Sequence, residues 1–168
     1  MIIENNLTGA RKNVASGNYS HAEGFHTTAS GVDSHAECGD TIASGSDSHA
    51  EGLMTQATGN NSHSEGNQTQ AKGLNSHAEG YCTIAARKSQ HVFGEFNIQE
   101  TGSATERGEY VEIVGNGYMG NRVVASNART LDWSGNEKIA GSLTIGMGTD
   151  DEATITPSQL KALLLLLN

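Results

Sequence analysis

A 14-residue pattern of small and polar residues recurs along residues 16–94. Its first block is Ser20-His21-Ala22-Glu23-Gly24, in which small residues alternate with His and Glu. Alternation with a period of two predicts a strand with one small-residue face and one polar face. The block recurs, without a change of spacing, at Ser34, Ser48, Ser62 (with Ser64 in place of Ala) and Ser76, and a degenerate sixth copy is Gln90-His91-Val92-Phe93-Gly94.

A second small-residue strand is predicted between successive blocks. A Thr is followed two residues later by an Ala in each repeat, at Thr27, Thr41, Thr55, Thr69 and Thr83, and a Gly closes each unit at Gly17, Gly31, Gly45, Gly59 and Gly73. Each repeat is therefore predicted to form two strands of seven residues joined by two glycine-bearing turns. Only Ser, Ala, Thr and Gly would lie between the strands, so the chain predicts an all-β, flattened parallel β-roll. Stacking about six such coils at ~4.8 Å per rung gives a rod of roughly 29 Å.

The rest of the chain predicts three further segments. Residues 1–15 form an N-terminal segment or cap, and residues 95–150 form a small antiparallel β unit after the roll of residues 16–94. The strands of this antiparallel unit are predicted at 110–114, 122–125, 130–133, 138–140 and 143–145. Turns are predicted at Asn116-Gly117 and Ser134-Gly135-Asn136, and an exposed loop is predicted at 101–109.

Residues 151–168 are predicted to contain a helix that docks or trimerises. Thr156 as N-cap, Pro157 at the first helical position and Gln159 closing a capping box indicate a start near Pro157. The apolar stripe is Leu160, Leu163, Leu164 and Leu167.

Composition and charge exclude several classes of protein. The 168 residues include 21 Gly and are 35% hydrophobic and 5% aromatic, which leaves little bulky material for a large core. A net charge of −9 disfavours nucleic-acid binding, which needs a basic face. Because the chain has no 18-residue apolar span, it is predicted not to insert into a membrane. Because its start is not signal-like, it is predicted to be made in the cytoplasm without a signal peptide. Cys38 and Cys82 fall about three rungs apart, roughly 15 Å, and are predicted to be free thiols.

The repeat resembles the coil of the head domains of trimeric autotransporter adhesins, in which Ser-Val-Ala-Ile-Gly takes the place of Ser-His-Ala-Glu-Gly. That resemblance implies three left-handed β-rolls packed about a threefold axis, a homotrimer. It also implies that an apolar seam between chains is replaced here by a polar one. The residues of this expected interface, which we call the ladder, are His21, Glu23, His35, Glu37, His49, Glu51, His63, Glu65, His77, Glu79 and His91.

A second resemblance begins where the roll ends. Residues 90–98, 113–117, 126–136 and 140–141 are similar to the carboxy-terminal region of prophage tail and appendage proteins of Gram-positive bacteria. In that family Ser-His-Ala-Glu-Gly repeats lead into a module similar to a self-cleaving intramolecular-chaperone domain. The resemblance covers roughly residues 16–147. It implies a structural trimeric fibre or spike in a bacteriophage or prophage virion, attached at one end to another virion protein and able to contact host-surface glycans.

Two other functions stay open at this point. One is a self-cleaving chaperone domain that trimerises a fibre, for which Glu95, Glu100, Glu106 and Asp132 are the acidic candidates, although none is placed as catalytic. The other is a bacterial surface adhesin, which the missing signal, anchor and stalk disfavour. Apart from this self-cleaving alternative, the chain is expected not to be an enzyme.

The repeated histidines have two interpretations. Imidazoles with nearby carboxylates are good ligands for divalent transition metals. The favoured interpretation is that each His pairs with a Glu of the same or a neighbouring chain, because a uniform array does not converge on one point, so no metal or cofactor is expected. A buried ladder of this kind should weaken in acid. His26 is predicted to be solvated, and the variable positions Tyr19, Phe25, Leu53, Met54 and Tyr81 would form either a glycan-binding face or turn packing.

Overall fold

The repeats form a parallel β-solenoid of about six turns. The structure is a computed structural model that describes residues 12–146, 152–155 and 158. One face of the solenoid is a six-stranded sheet of β1 (Val14–Ala15), β3 (Thr28–Ala29), β5 (Ile42–Ala43), β7 (Gln56–Ala57), β9 (Gln70–Ala71) and β11 (Ile84–Ala85). The facing sheet contains β2 (His21–Ala22), β4 (His35–Ala36), β6 (His49–Ala50), β8 (His63–Ser64), β10 (His77–Ala78) and β12 (His91–Glu95).

The register of the solenoid follows the sequence period. His35 pairs with His21 on one side and His49 on the other, and Ala43 pairs in the same way with Ala29 and Ala57. Each residue therefore lies beside its equivalent 14 positions away, and all of these pairings are parallel. The predicted parallel solenoid with one repeat per coil is confirmed.

Small side chains fill the interior. Ala36, Ala43, Ala50 and Ala57 are fully buried. The threonine of each repeat is also fully buried, at positions 27, 41, 55, 69 and 83. Several buried hydroxyls find partners in the turns: Ser34 Oγ donates to the Gly31 carbonyl at 2.8 Å, and the equivalent Ser48 and Ser62 do the same. The hydroxyls of Thr27, Thr55 and Ser76 have no hydrogen-bond partner among the described residues. The predicted narrow interior of Ala, Ser and Thr is therefore confirmed.

The strands are shorter than predicted, and a third ladder accompanies them. The solenoid strands from β1 to β11 have two residues each, not seven, because left-handed residues bend the chain between them. A third column of parallel bridges joins Phe25, Gly39, Leu53, Asn67, Tyr81 and Glu95. The residue before each bridge has a positive φ of 93–104° and is Gly, except that Cys38 occupies this position with φ of 74°. Cys38 is exposed, Cys82 is half-buried, and both are free thiols, as expected.

The carboxy-terminal unit continues the solenoid sheet. Strand β13 (Tyr110–Asn116) pairs in parallel with β12, so the first pairing after the roll is not antiparallel. The antiparallel pairs begin with β16 (Asn127–Asp132), followed by β17 (Glu137–Ile139). Ile113 extends the interior, because it packs with Ala71, Ala78, Ala85 and Val92. The sheet thus has nine strands in one continuous order, β17-β16-β13-β12-β10-β8-β6-β4-β2.

Two small antiparallel hairpins complete the described part of the chain. One pairs β14 (Tyr118–Met119) with β15 (Val123–Val124), and the other pairs β18 (Leu143–Gly146) with β19 (Glu152–Ile155). The predicted loop at 101–109 carries no strand, since β13 begins at Tyr110, and it is largely exposed. The predicted helix stripe of Leu160, Leu163, Leu164 and Leu167 lies outside the described residues. Within the described residues, no helix has the length and apolar character needed to cross a membrane.

Candidate functional site: the histidine and glutamate ladder

The solenoid strands place the ladder histidines in one stacked column. His35, His49, His63 and His77 each open a two-residue strand whose second residue is buried, so the His side chain projects from the outer face. His91 opens the five-residue strand β12, and its neighbour Val92 is likewise buried. Because the rungs are in register, the rings of His35, His49, His63, His77 and His91 stack with centroids 4.8–4.9 Å apart and interplanar angles of 1–15°. Only the terminal His21 ring is tilted, by 57° against His35. The histidines from His35 to His91 are 34–40% exposed.

Three of the five ladder Glu side chains hydrogen-bond to the His of the next rung. The distance between Glu37 Oε1 and His49 Nε2 is 3.1 Å, and the pairs of the following two rungs measure 3.3 and 3.1 Å. The sequence left open whether the partner Glu belongs to the same or a neighbouring chain. The structure pairs the residues between neighbouring rungs of one chain. Their predicted location in a trimer interface stays a prediction.

The first and last of these cross-rung pairs are open. Glu23 Oε1 lies 3.9 Å from His35 Nε2, and Glu79 Oε1 lies 3.8 Å from His91 Nε2. Both Nε2 atoms are buried and have no hydrogen-bond partner within the described part of the chain. A buried polar atom of this kind costs free energy unless a partner is supplied.

Burial and neighbouring charges shift two pKa values in the ladder. Burial, followed by the charge of His77, lowers the pKa of His91 and outweighs Glu79, Glu112 and Glu65, which act to raise it. Burial raises the pKa of the Glu65 carboxyl, but hydrogen bonds with Glu79 and His77, together with the charges of His63 and His77, produce a net lowering. Because of both shifts, the folded state is more stable at neutral pH than in acid.

We expect acid to destabilise the metal-free solenoid in two steps. Because the pKa of His91 lies below its ordinary value of 6.5, the unfolded chain binds a proton more readily than the folded one. This contribution is present above pH 6.5 and is lost as the pH falls through the folded pKa. The Glu65 carboxyl, whose pKa is also lowered, adds a second loss of stability as the pH falls below its ordinary pKa of 4.5. Melting curves in chelator at pH 8, 6, 5 and 4 check this, and His91→Gln should shrink the first loss. A melting temperature that is unchanged between pH 8 and pH 5 contradicts the prediction.

His26 is exposed, as predicted, and it also has a partner on the neighbouring rung. Its Nδ1 lies 2.5 Å from Asp40 Oδ1, one rung further along the chain. Position 26 and its equivalents share no residue type, so no repeat signal marks this pair. The His26–Asp40 pair crosses one rung, whereas the ladder runs the length of the solenoid.

Two of the acidic candidates for self-cleavage have structural partners. Glu100 accepts hydrogen bonds from Gln90 Nε2 and from the Glu109 amide. Asp132 caps the following turn by accepting from the Ser134 and Asn136 amides at 2.8 Å, and the hydrogen bonds from Asn136 lower the pKa of its carboxyl. Glu95 and Glu106 are exposed.

The apolar side chains at variable repeat positions fall on or beside the third ladder. Phe25, Leu53 and Tyr81 occupy every second rung of that column, with Gly39 and Asn67 between them. Tyr81 packs edge to face on Phe96, with ring centroids 5.0 Å apart, as expected for turn packing. Tyr19 is 90% exposed, and Phe25, Leu53 and Met54 are also exposed, which leaves them available for contact with a ligand or another chain.

A small cavity beside β13 was not anticipated from the sequence. It has a volume of about 280 Å³ and is lined by Ile98, Tyr110, Asn127, Thr130, Lys138 and Ala140. These residues come from four separate stretches of the chain, and nothing in the local sequence pattern brings them together.

The chain matches no protein family model, no curated protein and no solved structure.

Proposed function

We propose that this chain is the rod segment of a homotrimeric structural fibre or spike in a bacteriophage or prophage particle. The observation that carries the proposal is the unbroken register of the solenoid, in which His pairs with His and Ala with Ala from rung to rung. Such a stack is a stiff spacer that repeats one surface along its length. Its function would be mechanical, and no chemical step is assigned to it.

The interior argues for self-association. The solenoid core consists of Ala, Ser and Thr side chains, and each buried CH₂ contributes only ~0.8 kcal/mol. The large apolar side chains Phe25, Ile42 and Leu53 lie on the surface outside the ladder, so they do not add to this core. The missing stabilisation would come from a second and a third copy of the same chain, because identical rods match rung for rung when they pack side by side.

The ladder face is the proposed seam, as in the left-handed trimers that the repeat resembles. Its side chains are about one-third exposed, so they are partly ordered and still accessible to another chain. The buried Nε2 atoms of His35 and His91 have no partner among the described residues, so each would donate or accept a hydrogen bond across the seam. Hydrogen bonds across such a seam would fix the register of the three chains. The leucine stripe at the carboxy terminus would add a small apolar bundle.

One end and the flank of the rod would have different partners. One end would attach to another virion protein, and the exposed aromatic side chains, including Tyr19 and Phe25, would contact host-surface glycans. Three identical rods multiply weak glycan contacts by avidity. The proposed location is therefore the assembled particle.

Native mass spectrometry of the full chain in chelator tests the proposal directly. We expect a species of three intact chains of 17.6 kDa each. A monomer would overturn the proposal. Fragments of fixed mass would favour the self-cleaving chaperone, and intact trimers that never copurify with particles would favour a surface adhesin.

A pair of lysine variants tests where the seam lies. Glu51→Lys adds positive charge to the ladder, whereas Gln56→Lys places it on the opposite sheet. We expect the first variant to lower the trimer fraction strongly and the second to leave it unchanged, because like charges in one seam repel. Equal trimer fractions would exclude the ladder as the interface.

A further inference from the structure

The ladder brings potential metal ligands together at every step between rungs. Within the described residues, five groups of two histidines and one glutamate have ligand atoms that all lie within 4.8 Å of one another. The groups are His21-Glu23-His35, His35-Glu37-His49, His49-Glu51-His63, His63-Glu65-His77 and His77-Glu79-His91. A uniform array argues against one converging site when only its spacing is known. The geometry shows that three ligand atoms converge between each pair of rungs.

We infer that the ladder binds divalent first-row transition-metal ions, with Zn²⁺ as the representative, each held by two histidines of adjacent rungs and the glutamate between them. Two imidazole nitrogens and one carboxylate are a known zinc ligand set that leaves a fourth position for water. Imidazole also suits copper and nickel, so the ligand set selects a class of ion and not a single metal.

The distances permit this coordination with small side-chain movements. A tetrahedral Zn²⁺ with bonds of about 2.0–2.1 Å needs ligand atoms roughly 3.3 Å apart. The distance between Glu37 Oε1 and His49 Nε2 is already 3.1 Å. The second His of each group must approach by rotation of its partly exposed side chain, while the backbone stays in register.

The metal would replace a proton that the ladder already holds. In the metal-free pair a proton lies between His Nε2 and the Glu oxygen. On binding, the Nε2 lone pair and the carboxylate oxygen both bond to the ion; the ring gives up its Nε2 proton to water and takes one from water at Nδ1, so it stays a neutral imidazole and charge and atoms balance. Binding therefore needs no rearrangement of the rungs and no further reactant.

The two unpaired nitrogens support the same conclusion. His35 Nε2 and His91 Nε2 are buried without hydrogen-bond partners in the described part of the chain, and they belong to the first and last groups. His91 also lies opposite Glu112 of β13, which adds a carboxylate near the last group. A cation at these positions would satisfy nitrogens that the chain itself leaves unpaired.

The shared histidines limit the number of ions. Each Nε2 can bond to one metal only, so six ladder histidines taken two at a time hold at most three ions per chain. The three groups that share no residue are His21-Glu23-His35, His49-Glu51-His63 and His77-Glu79-His91. Neighbouring ions would then be two rungs, roughly 9.6 Å, apart.

Two double variants that remove equal numbers of histidines test this arrangement. His49→Gln with His63→Gln leaves two adjacent pairs, and His35→Gln with His77→Gln leaves only the His49-His63 pair. Chelator-treated full-length protein is incubated with ZnCl₂ and freed of excess ion by gel filtration, and its zinc is counted by elemental mass spectrometry. We expect three ions per wild-type chain, two in the first variant and one in the second.

Controls keep the outcome interpretable. His26→Gln removes a histidine outside the ladder and should still bind three ions. His21→Gln, at the exposed first rung, should bind two and serves if a double variant does not fold, which circular dichroism in chelator reports. No zinc on the wild type, or equal zinc in the two double variants, would overturn the inference.

The inference does not rest on the proposed fibre function, because every group lies within one chain. A trimer that binds no zinc would overturn the metal inference alone, and a zinc-binding monomer would overturn the fibre proposal alone.

Discussion

Gly45→Ala is expected to be among the most destabilising single changes in the solenoid. A Cβ atom at position 45 would lie 2.0 Å from the Gly59 carbonyl oxygen and 2.5 Å from its carbonyl carbon. The obstacle is backbone of the next rung, which cannot rotate away as a side chain can. The two rungs would have to separate, and the hydrogen bonds that join them would weaken. We expect a loss of about 3 kcal/mol or more in the free energy of unfolding, measured by urea denaturation.

Gly141→Ala is the matched control. A Cβ atom there meets nothing within 4 Å, and its backbone does not have a positive φ. The change should therefore shift the free energy of unfolding by no more than ~0.5 kcal/mol. If the two variants unfold at the same urea concentration, the rungs are not packed as closely as the structure places them.

The solenoid could be predicted because its interior restricts residue type. Only small side chains fit between the two sheets, so Ala36, Ala43 and their equivalents recur at a fixed spacing. That spacing is the number of residues in one coil. The spacing of Ser-His-Ala-Glu-Gly never slips, which fixes the parallel register as well.

The third ladder left no comparable signal. Its members include Phe25, Gly39, Leu53 and Asn67, which share no chemical character. The hydrogen bonds between them run from backbone amide to backbone carbonyl, as from Gly39 N to Gly52 O at 2.9 Å. Backbone bonds do not select a side chain, so the Gly that recurs before these residues indicates a turn but not a third column of paired strands.

The join between the solenoid and the carboxy-terminal unit also depends on contacts that are distant in sequence. Strand β12 pairs in parallel with β13, whose matching residues begin 21 positions later, as His91 with Glu112. Alternation in a five-residue strand is the same for parallel and antiparallel neighbours. The sequence could therefore predict β13 as a strand without its direction relative to the solenoid.

The composition of the ladder was predictable, and its pairing was only partly so. Period-two alternation placed His and Glu on one outer face, where the structure has them. Which rung supplies the partner depends on side-chain reach across the 4.8 Å step, and the sequence does not encode that reach. The open pairs of His35 and His91 arise because the first rung is exposed and the last meets Glu112, two effects of position along the rod.

Ala57→Leu should be as severe as the glycine change, because it tests the interior directly. Ala57 is fully buried and lies between Ala43 and Ala71 in its column. Leu adds three carbons where the neighbouring rungs leave no space, so the sheets must move apart. Overpacking of this kind costs about 3 kcal/mol, and here the parallel stack transmits it to both adjacent rungs.

Gln56→Leu supplies the comparison one residue away. Gln56 is the outward residue of the same strand and lies beside Ile42, which already places an apolar side chain on that surface. We expect its urea midpoint to stay close to that of the wild type, within ~0.5 kcal/mol in the free energy of unfolding. The same Leu added to two adjacent residues thus distinguishes inside from outside. Equal losses would show that the two faces of β7 had been assigned incorrectly, and a loss confined to Ala57→Leu would establish that the solenoid depends on an interior with room for methyl groups and nothing larger.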